Sequence, residues 1–547
     1  MTKLGIIKPM PQQPPVEQTI PQQAGQAPVD TSRFVEPPAV KVEAGPGQLG
    51  MADTIPNVPE DSILVETNLM KAVLTNYGGG PVSLELKNFI YKGDGFVQML
   101  PDCRTATPEF KFNEGTINVN KYVYIASAPK GNYAVTQGTY ELTYTYVNDK
   151  GASIVKKYRF YADRYDYDLI FSVTDPAGFG FERKYAIEWN NRLDPTETTI
   201  QEDYSSMWAM ALQADVRVKF DSYKNDMFKE SLDGATSWIA TRSKYFTSIL
   251  VPRSRLASAV KASGVKNYLA TAAGKIETRE LAIGMVMEAP YNEPMTDSFS
   301  VFVGPMDYDI LKSFNGDVVD LIDIGTTPFV GWIIKIFAIP IMWILPRMYS
   351  FIPNYGWVIV VFSLLVKVIT WPLSKKSVQS MNAMREIQPQ MEELKKKHKN
   401  NPQALNREIM ALYKKSGINP LSGCLPMLAQ MPLFFALFAV FRSTILLRQA
   451  PFMLWWDDLS RGAMSMTDPY IILVILMVVL MFVQQKMAMT DPKNKIFTYI
   501  FPLILGFAFY KASAGLVLYW TCFSLFSFAE QIIFKKKTAP PAVQVVK

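Results

Sequence analysis

Residues 355–373 read YGWVIVVFSLLVKVITWPL, an apolar run that contains one charged residue, Lys367. A helix needs about 20 such residues to cross the hydrocarbon core of a bilayer. Four further apolar segments follow in the chain, at residues 421–441, 470–485, 496–510 and 515–534. The sequence therefore predicts a helical membrane domain over residues 355–534, with five membrane spans.

The chain begins with a segment of quite different composition. Residues 1–60 are rich in Pro and Gln, as in PMPQQPP at residues 9–15. Such a segment has too little apolar surface to offset the entropy lost on ordering, so we predict a disordered linker. It contains no apolar run of the length expected for a signal peptide or a membrane anchor.

Residues 61–315 consist of short segments that alternate between polar and apolar residues. The segment YELTYTYV at residues 140–147 has a period of two, and NDKG at residues 148–151 is a turn signal. Two more strands are indicated at residues 154–160 and 167–173. This density of strands predicts a mostly antiparallel β-sandwich domain, which makes the chain an α+β membrane protein.

Residues 316–354 connect the β-domain to the membrane domain. Within them an apolar segment at residues 328–348 is interrupted by Pro340 and Pro346, and Lys335 and Arg347 lie toward its ends. A basic, apolar segment of this kind predicts an amphipathic helix that lies in the membrane interface.

The basic residues predict which side of the membrane each segment faces. They concentrate in residues 375–418 after the first span, in the connection at residues 486–495, and in the tail at residues 535–547. Cytoplasmic segments carry an excess of Lys and Arg, so we predict that all three are cytoplasmic. Five spans then place the β-domain and the loop at residues 442–468 on the outer side.

The basic segment at residues 375–418 has a helical pattern of its own. Apolar residues recur at helical spacing in two stretches, which the sequence KNNP at residues 399–402 separates. We therefore predict an antiparallel helical hairpin that projects into the cytoplasm. Its candidate recruitment residues are Lys395, Lys396, Lys397, Lys399, Lys414 and Lys415. Two interpretations stay open: a solvated hairpin without a partner, or a basic surface that contacts anionic lipid headgroups or ribosomal RNA.

Lys367 is the most informative residue of the first span. A charge inside a membrane is costly and normally faces protein or water, and Ser363 and Thr370 share its helical face. The later spans contribute further polar residues, namely Gln430, Thr521, Ser524, Ser527, Glu530 and Gln531. We predict that they line a hydrophilic groove in the cytoplasmic half of the membrane. The alternatives are that Lys367 extends to the interface, or that Glu530 pairs with Lys367 or Lys535 as a structural ion pair.

The composition offers little for catalysis. The chain has one histidine, His398, so it has no HExxH motif, and the GKI sequence at residues 274–276 is no Walker loop. Its three cysteines have neither the number nor the spacing of a disulfide framework or a zinc site. We predict no catalytic residue, metal or cofactor. A polytopic transporter with an intramembrane lysine site is the alternative function, although no inverted repeat supports it.

Several segments resemble the YidC/Oxa-type family of membrane protein insertases. They are NPLSGCLPMLAQMPLF at residues 419–434, LRQAPF at residues 447–452 and AGLVLYW at residues 514–520. More loosely, YGG at residues 77–79, WIA at 238–240, KYF at 244–246 and VGP at 303–305 resemble the periplasmic β-supersandwich domain of this family.

The resemblance implies a function, a location and partners. Family members insert and help fold membrane proteins, alone or with the Sec translocon, through a groove open to the cytoplasm and to lipid. The implied partners are nascent membrane proteins, the Sec translocon, the lipid bilayer and, weakly, the ribosome, with no small-molecule substrate. The implied location is a bacterial inner membrane with a periplasmic β-domain. The resemblance places Lys367, Ser363 and Gln430 in the groove, together with Tyr519 on the last span.

Three features depart from the family pattern. Most members have arginine where Lys367 stands, so the charge is kept but the bidentate guanidinium is lost. Gram-negative members begin with an additional span that residues 1–60 lack, and we expect a start codon assigned too late or a trimmed N-terminus to account for this. The tail after Phe534 is shorter than the basic tails of some relatives.

Overall fold

The computed structural model describes most of the two predicted domains. The described residues are 61–91, 95–100, 106–189, 195–197, 199–271, 274–324, 331–399, 401–417, 425–488 and 495–537. The predicted linker at residues 1–60 lies outside these ranges, as does the end of the predicted tail from residue 538 onward.

The described part of the N-terminal half contains nineteen strands in two sheets. The strands are β1 Ser62–Thr67, β2 Met70–Thr75, β3 Gly80–Ile90, β4 Phe96–Gln98, β5 Glu109–Phe112, β6 Ile117–Asn118, β7 Ile125–Ala126, β8 Gly131–Val135, β9 Thr139–Val147, β10 Ser153–Tyr161, β11 Asp166–Val173, β12 Lys184–Trp189, β13 Trp208–Gln213, β14 Val216–Phe220, β15 Met227–Arg242, β16 Phe246–Pro252, β17 Ala257–Thr271, β18 Gly274–Glu288 and β19 Met295–Pro305.

The pairing of these strands is almost entirely antiparallel. The small sheet has the order β4–β3–β2–β1–β8, and β8 joins it parallel to β1, a pairing that the long stretch of chain between the two strands allows. The large sheet follows the path β6–β5–β12–β18–β17–β15–β16–β19–β11–β10–β9–β7, with β13 and β14 attached to β15. The predicted hairpin is β9–β10, and β11 pairs next to it, so these three predicted strands and the β-sandwich class are confirmed.

A buried lysine ties the large sheet to the small one. The Lys156 Nζ on β10 donates to the carbonyl oxygen of Gly78, at 2.8 Å, and to Asn120 Oδ1, at 2.6 Å. The Tyr158 hydroxyl, two residues along the strand, donates to the carbonyl oxygen of Gly79 at 2.9 Å. Both glycines have positive φ, which favours glycine and turns the chain between β2 and β3. Burial lowers the pKa of Lys156 well below its usual range.

Two short helices complete the β-domain. Helix α1, Ile200–Ser205, precedes β13, and α2, Tyr308–Phe314, follows β19. The Asp307 side chain caps α2 by accepting hydrogen bonds from the amides of Asp309 and Ile310. A 3₁₀-helix at Gly316–Ile322 then leads toward the membrane helices.

The described C-terminal part is helical. Its helices are α3 Gly331–Tyr349, α4 Tyr355–Glu386, α5 Gln388–Lys397, α6 Pro402–Lys415, α7 Leu425–Ser443, α8 Ile471–Ala488, α9 Lys495–Phe509 and α10 Ala514–Lys537. The predicted first span continues without a break into the hairpin, since α4 extends thirteen residues beyond the predicted end of the span at residue 373. The hairpin turns between α5 and α6, where Asn401 caps α6 and Pro402 occupies its first turn.

Several of these helices have the character of membrane spans. By length and composition, three segments of the described chain can cross a membrane: Gly331–Tyr349, Tyr355–Met384 and Ala514–Ile533. Shorter apolar segments are Gln430–Ser443, Ile471–Met487 and Tyr499–Phe509. Large apolar side chains such as Ile369 and Phe507 are exposed on these helices, as expected for surfaces that contact lipid. The interfacial position of α3 and the count of five spans stay predictions.

Candidate functional site

Lys367 lies in the contact between α4 and α10. Its Nζ is 2.6 Å from Glu530 Oε2 and donates a hydrogen bond of 2.9 Å to Ser527 Oγ. The two charged side chains are 9% and 8% exposed, so the ion pair is nearly enclosed by protein. The Nζ also lies 5.1 Å from the centre of the Phe523 ring. Phe523, Ser527 and Glu530 recur at helical spacing, so one face of α10 receives the lysine.

Ser363 and Thr370 lie one turn from Lys367, on either side of it along α4. Ser363 is fully buried, and its hydroxyl donates to the carbonyl oxygen of Val360. Thr370 is half-buried and donates to the carbonyl oxygen of Val366. Both hydroxyls thus donate hydrogen bonds to carbonyl oxygens of α4 itself, whereas the Lys367 ammonium contacts side chains of α10.

The predicted groove residues of α10 are also enclosed by helices. Thr521 and Ser524 are buried, and the Thr521 hydroxyl donates to the carbonyl oxygen of Val517. Tyr519 packs its ring among Phe362, Phe441 and Phe523. Gln430 is half-buried on α7. Phe523 thus contacts two of the predicted groove residues, Tyr519 and Lys367.

One carboxylate oxygen of Glu530 accepts no hydrogen bond from the described residues. This oxygen, Oε1, is buried. The sequence offers Ser527, Glu530 and Gln531 as polar positions on the last span without indicating which one contacts Lys367. The tertiary structure selects Ser527 and Glu530.

The lysines of the hairpin form two separate groups. Lys395, Lys396 and Lys397 are in the last turn of α5, with Lys399 in the adjacent turn, whereas Lys414 and Lys415 end α6. At 1.5 Å per residue, the 14 residues of α6 hold these groups roughly 20 Å apart. Cations at the C-terminal ends of both helices also interact favourably with the helix dipoles.

A second buried ion pair, not predicted from the sequence, joins the membrane domain to the β-domain. Arg448, in the α7–α8 loop (residues 444–470), has its Nε 2.7 Å from Glu197 Oε1. Its guanidinium also donates to the carbonyl oxygens of Ile90, at 2.8 Å, and Thr196, at 3.3 Å. Arg448 is 3% exposed, so this contact is enclosed. Its one sequence signal is an arginine within the mostly apolar segment LRQAPF.

The fold and these contacts define a class of protein. It is a polytopic helical membrane protein with a large β-sandwich domain, in which α4 and α10 enclose an ion pair. The family model described as YidC periplasmic domain matches residues 62–344, and the model described as 60Kd inner membrane protein matches residues 347–541. The chain belongs to the YidC family of membrane protein insertases. It therefore inserts membrane proteins, and the transporter alternative is not favoured.

Relatives match the chain over most of its length. A membrane protein insertase YidC of Chlorobium luteolum is 32% identical over 517 residues, covering 90% of this chain and 85% of the relative. One of Chlorobaculum tepidum is 33% identical and covers 89% of this chain and 84% of the relative.

Solved structures of the family are also similar to this chain. An active YidC insertase with its first transmembrane domain resolved has 18% identity and a TM-score of 0.37, and covers 86% of this chain and 92% of its own. YidC from Thermotoga maritima has 15% identity and a TM-score of 0.29, and covers 86% of this chain and 99% of its own.

Proposed function

We propose that the ion pair of Lys367 and Glu530 is the electrostatic centre of the substrate groove. In this proposal an acidic residue near the end of an entering substrate helix displaces Glu530 from the Lys367 ammonium. The proposal rests on the ion pair itself, in which Lys367 Nζ lies 2.6 Å from Glu530 Oε2. Ser363 lies on the same face of α4 as Lys367. Since an ammonium has three donors, Lys367 can exchange one carboxylate for another while it keeps its bond to Ser527.

This internal competitor makes substrate binding weak and reversible. The substrate carboxylate replaces an existing carboxylate, so only the difference between two similar pairs remains, on the order of 1 kcal/mol. Weak binding suits an insertase, because the substrate helix must leave the groove for the lipid. Partial hydration of the site in use would reduce the difference further.

The proposed membrane and partners follow from the family, and the membrane is a bacterial inner membrane. The proposed topology rests on charge: the excess of Lys and Arg favours a cytoplasmic hairpin and C-terminus, and the β-domain is then periplasmic. The five spans are those predicted at residues 355–373, 421–441, 470–485, 496–510 and 515–534. Nascent chains arrive from the ribosome through the two lysine groups of the hairpin, or from the Sec translocon. The reaction is an insertion with no enzymatic step.

Insertion into proteoliposomes tests the role of Lys367. The substrates are a single-span protein with one acidic residue in its translocated segment and its neutral variant. The Lys367→Arg variant should insert both substrates, whereas Lys367→Glu should fail to insert the acidic one. Glu530→Gln should insert the acidic substrate better, relative to the neutral one, than the wild type does. Lys375→Glu is a matched control, because it makes the same charge change on an exposed residue of α4.

The quantity to compare between variants is the ratio of acidic-substrate insertion to neutral-substrate insertion. If Lys367→Glu inserts both substrates alike, Lys367 is not a groove charge. If Lys375→Glu changes the ratio as much as Lys367→Glu does, the effect comes from general charge near the membrane. Omitting the Sec translocon from the vesicles measures what the chain achieves alone.

A further inference from the structure

A cavity of about 500 Å³ lies where the β-domain meets the membrane helices. From the β-domain it is lined by the end of α1, by β13, β14 and β18, by the end of β15, and by the end of the 3₁₀-helix at Gly316–Ile322. From the membrane domain it is lined by Ile334, in the first turn of α3, and by the last turns of α7. We call it the interdomain pocket.

The pocket is lined by more cations than carboxylates. Its charged lining residues are Lys219, Arg242, Lys244, Arg279 and Arg442 against Asp221 and Asp323. Three of the cations have carboxylate partners: Lys219 pairs with Asp221 at 2.7 Å, Lys244 with Glu202 at 3.1 Å and Arg279 with Glu277 at 2.7 Å. Arg242 and Arg442 differ from these three.

Arg242 and Arg442 place two guanidinium groups at the same cavity. Arg242 is buried, and its three guanidinium nitrogens donate to the carbonyl oxygens of Ser243, Leu321 and Lys244. Arg442 is exposed and makes no ion pair or hydrogen bond with any other described residue. Burial, together with the positive charge of Arg442, lowers the pKa of Arg242 to about 10, while Asp323 and Asp203 oppose the shift. The largest cause of the shift is burial, and a bound anion would offset the positive charge of Arg442.

Apolar side chains continue from Arg442 along the same face of α7. Phe438 and Phe435 precede Arg442 by four and seven residues, which is the spacing of one helical face. Both phenyl rings are exposed, at 37% and 44%. At 1.5 Å per residue, Phe435 lies about 10 Å from Arg442 along the helix axis. A guanidinium next to two exposed phenyl rings on one helix face suits a molecule that has an anionic headgroup and an apolar tail.

We propose that the interdomain pocket binds the phosphate headgroup of an anionic phospholipid. Arg442 holds the phosphate at the mouth of the pocket, and the acyl chains lie against Phe438 and Phe435. The leaflet follows from the topology proposed above, which makes this the outer leaflet. Binding itself depends on neither the topology nor the insertase mechanism, so the two proposals can fail separately.

Binding of short-chain lipids to the purified full chain in detergent tests the site. The probes are dioctanoyl phosphatidylglycerol, dioctanoyl phosphatidylcholine and inorganic phosphate, with Kd measured by titration calorimetry. Arg442→Gln should weaken binding of the phosphatidylglycerol roughly tenfold, which corresponds to one charge-assisted hydrogen bond. Arg347→Gln is the matched control, because Arg347 is also an exposed arginine near the end of an apolar helix.

A second variant separates a lipid from free phosphate. Phe438→Ala should weaken binding of the phosphatidylglycerol but leave any binding of inorganic phosphate unchanged. Three outcomes would overturn the proposal: equal affinity for the two lipids, an affinity for inorganic phosphate equal to that for phosphatidylglycerol, or equal effects of Arg442→Gln and Arg347→Gln.

Discussion

Replacement of Glu530 by Gln removes the charge that neutralises Lys367, and its effect on stability can be worked from the geometry. At the observed 2.6 Å, with an effective dielectric constant of about 20, the attraction between the two charges is about 6 kcal/mol. Desolvation of both groups offsets much of this attraction. A glutamine side chain still offers an acceptor to the ammonium, and Ser527 remains in place. We therefore expect Glu530→Gln to cost about 3 kcal/mol, at the lower end for breaking a buried pair.

A double-mutant cycle isolates the contribution of the pair. Lys367→Met should also destabilise the protein, because it leaves Glu530 charged and unpaired. The double variant removes both charges, so its loss should be smaller than the sum of the single losses by about 2 kcal/mol. The measurement is reversible unfolding in mixed micelles by titration with sodium dodecyl sulfate, followed by circular dichroism. Additivity within about 0.5 kcal/mol would refute the pair as a coupled unit.

Three further predictions concern the rest of the molecule. Arg448→Met should destabilise the contact between the domains by about 3 kcal/mol, because it leaves Glu197 buried and unpaired; faster proteolysis of the native protein in the loop between α7 and α8 would report this. Asp149→Cys, in the exposed β9–β10 turn, should be labelled by an impermeant maleimide in intact cells; labelling only after lysis would reverse the proposed topology. Gly356→Ala should cost about 1–3 kcal/mol in the same unfolding titration, because its added Cβ would overlap the Phe452 side chain. Gly316→Ala is the control, because its added Cβ meets nothing within 4 Å, and it should leave the stability unchanged.

The sequence determines the local elements because their signals repeat over short distances. The period of two at residues 140–147 predicts a strand, and β9 is observed at Thr139–Val147. Apolar runs predict helices α8 and α9 to within a few residues. The observed end of α4 differs from the predicted end of the span at residue 373, because hydropathy reports where the apolar run ends and not where the helix ends. The helix itself continues through the basic residues that follow, to Glu386, since its backbone hydrogen bonds do not require lipid.

The sequence also identifies Lys367 as unusual, because a charge within an apolar run is costly wherever it faces. It leaves three environments open for that charge: the interface, a wet groove, or an ion pair. Only the crossing of α4 and α10 selects the contacts with Ser527 and Glu530, since Ser527 is 160 residues away in the chain.

The contact between the domains depends still more on tertiary structure. Arg448 and Glu197 are 251 residues apart, and each lies in a connection without a periodic pattern. The interdomain pocket likewise gathers residues of both domains, from Ser205 to Ser443. Periodicity and hydropathy indicate which side of a helix or strand is apolar. Neither indicates where two such elements lie relative to each other. That position follows from packing the whole chain, so long-range ion pairs and cavities were decided by the tertiary structure alone.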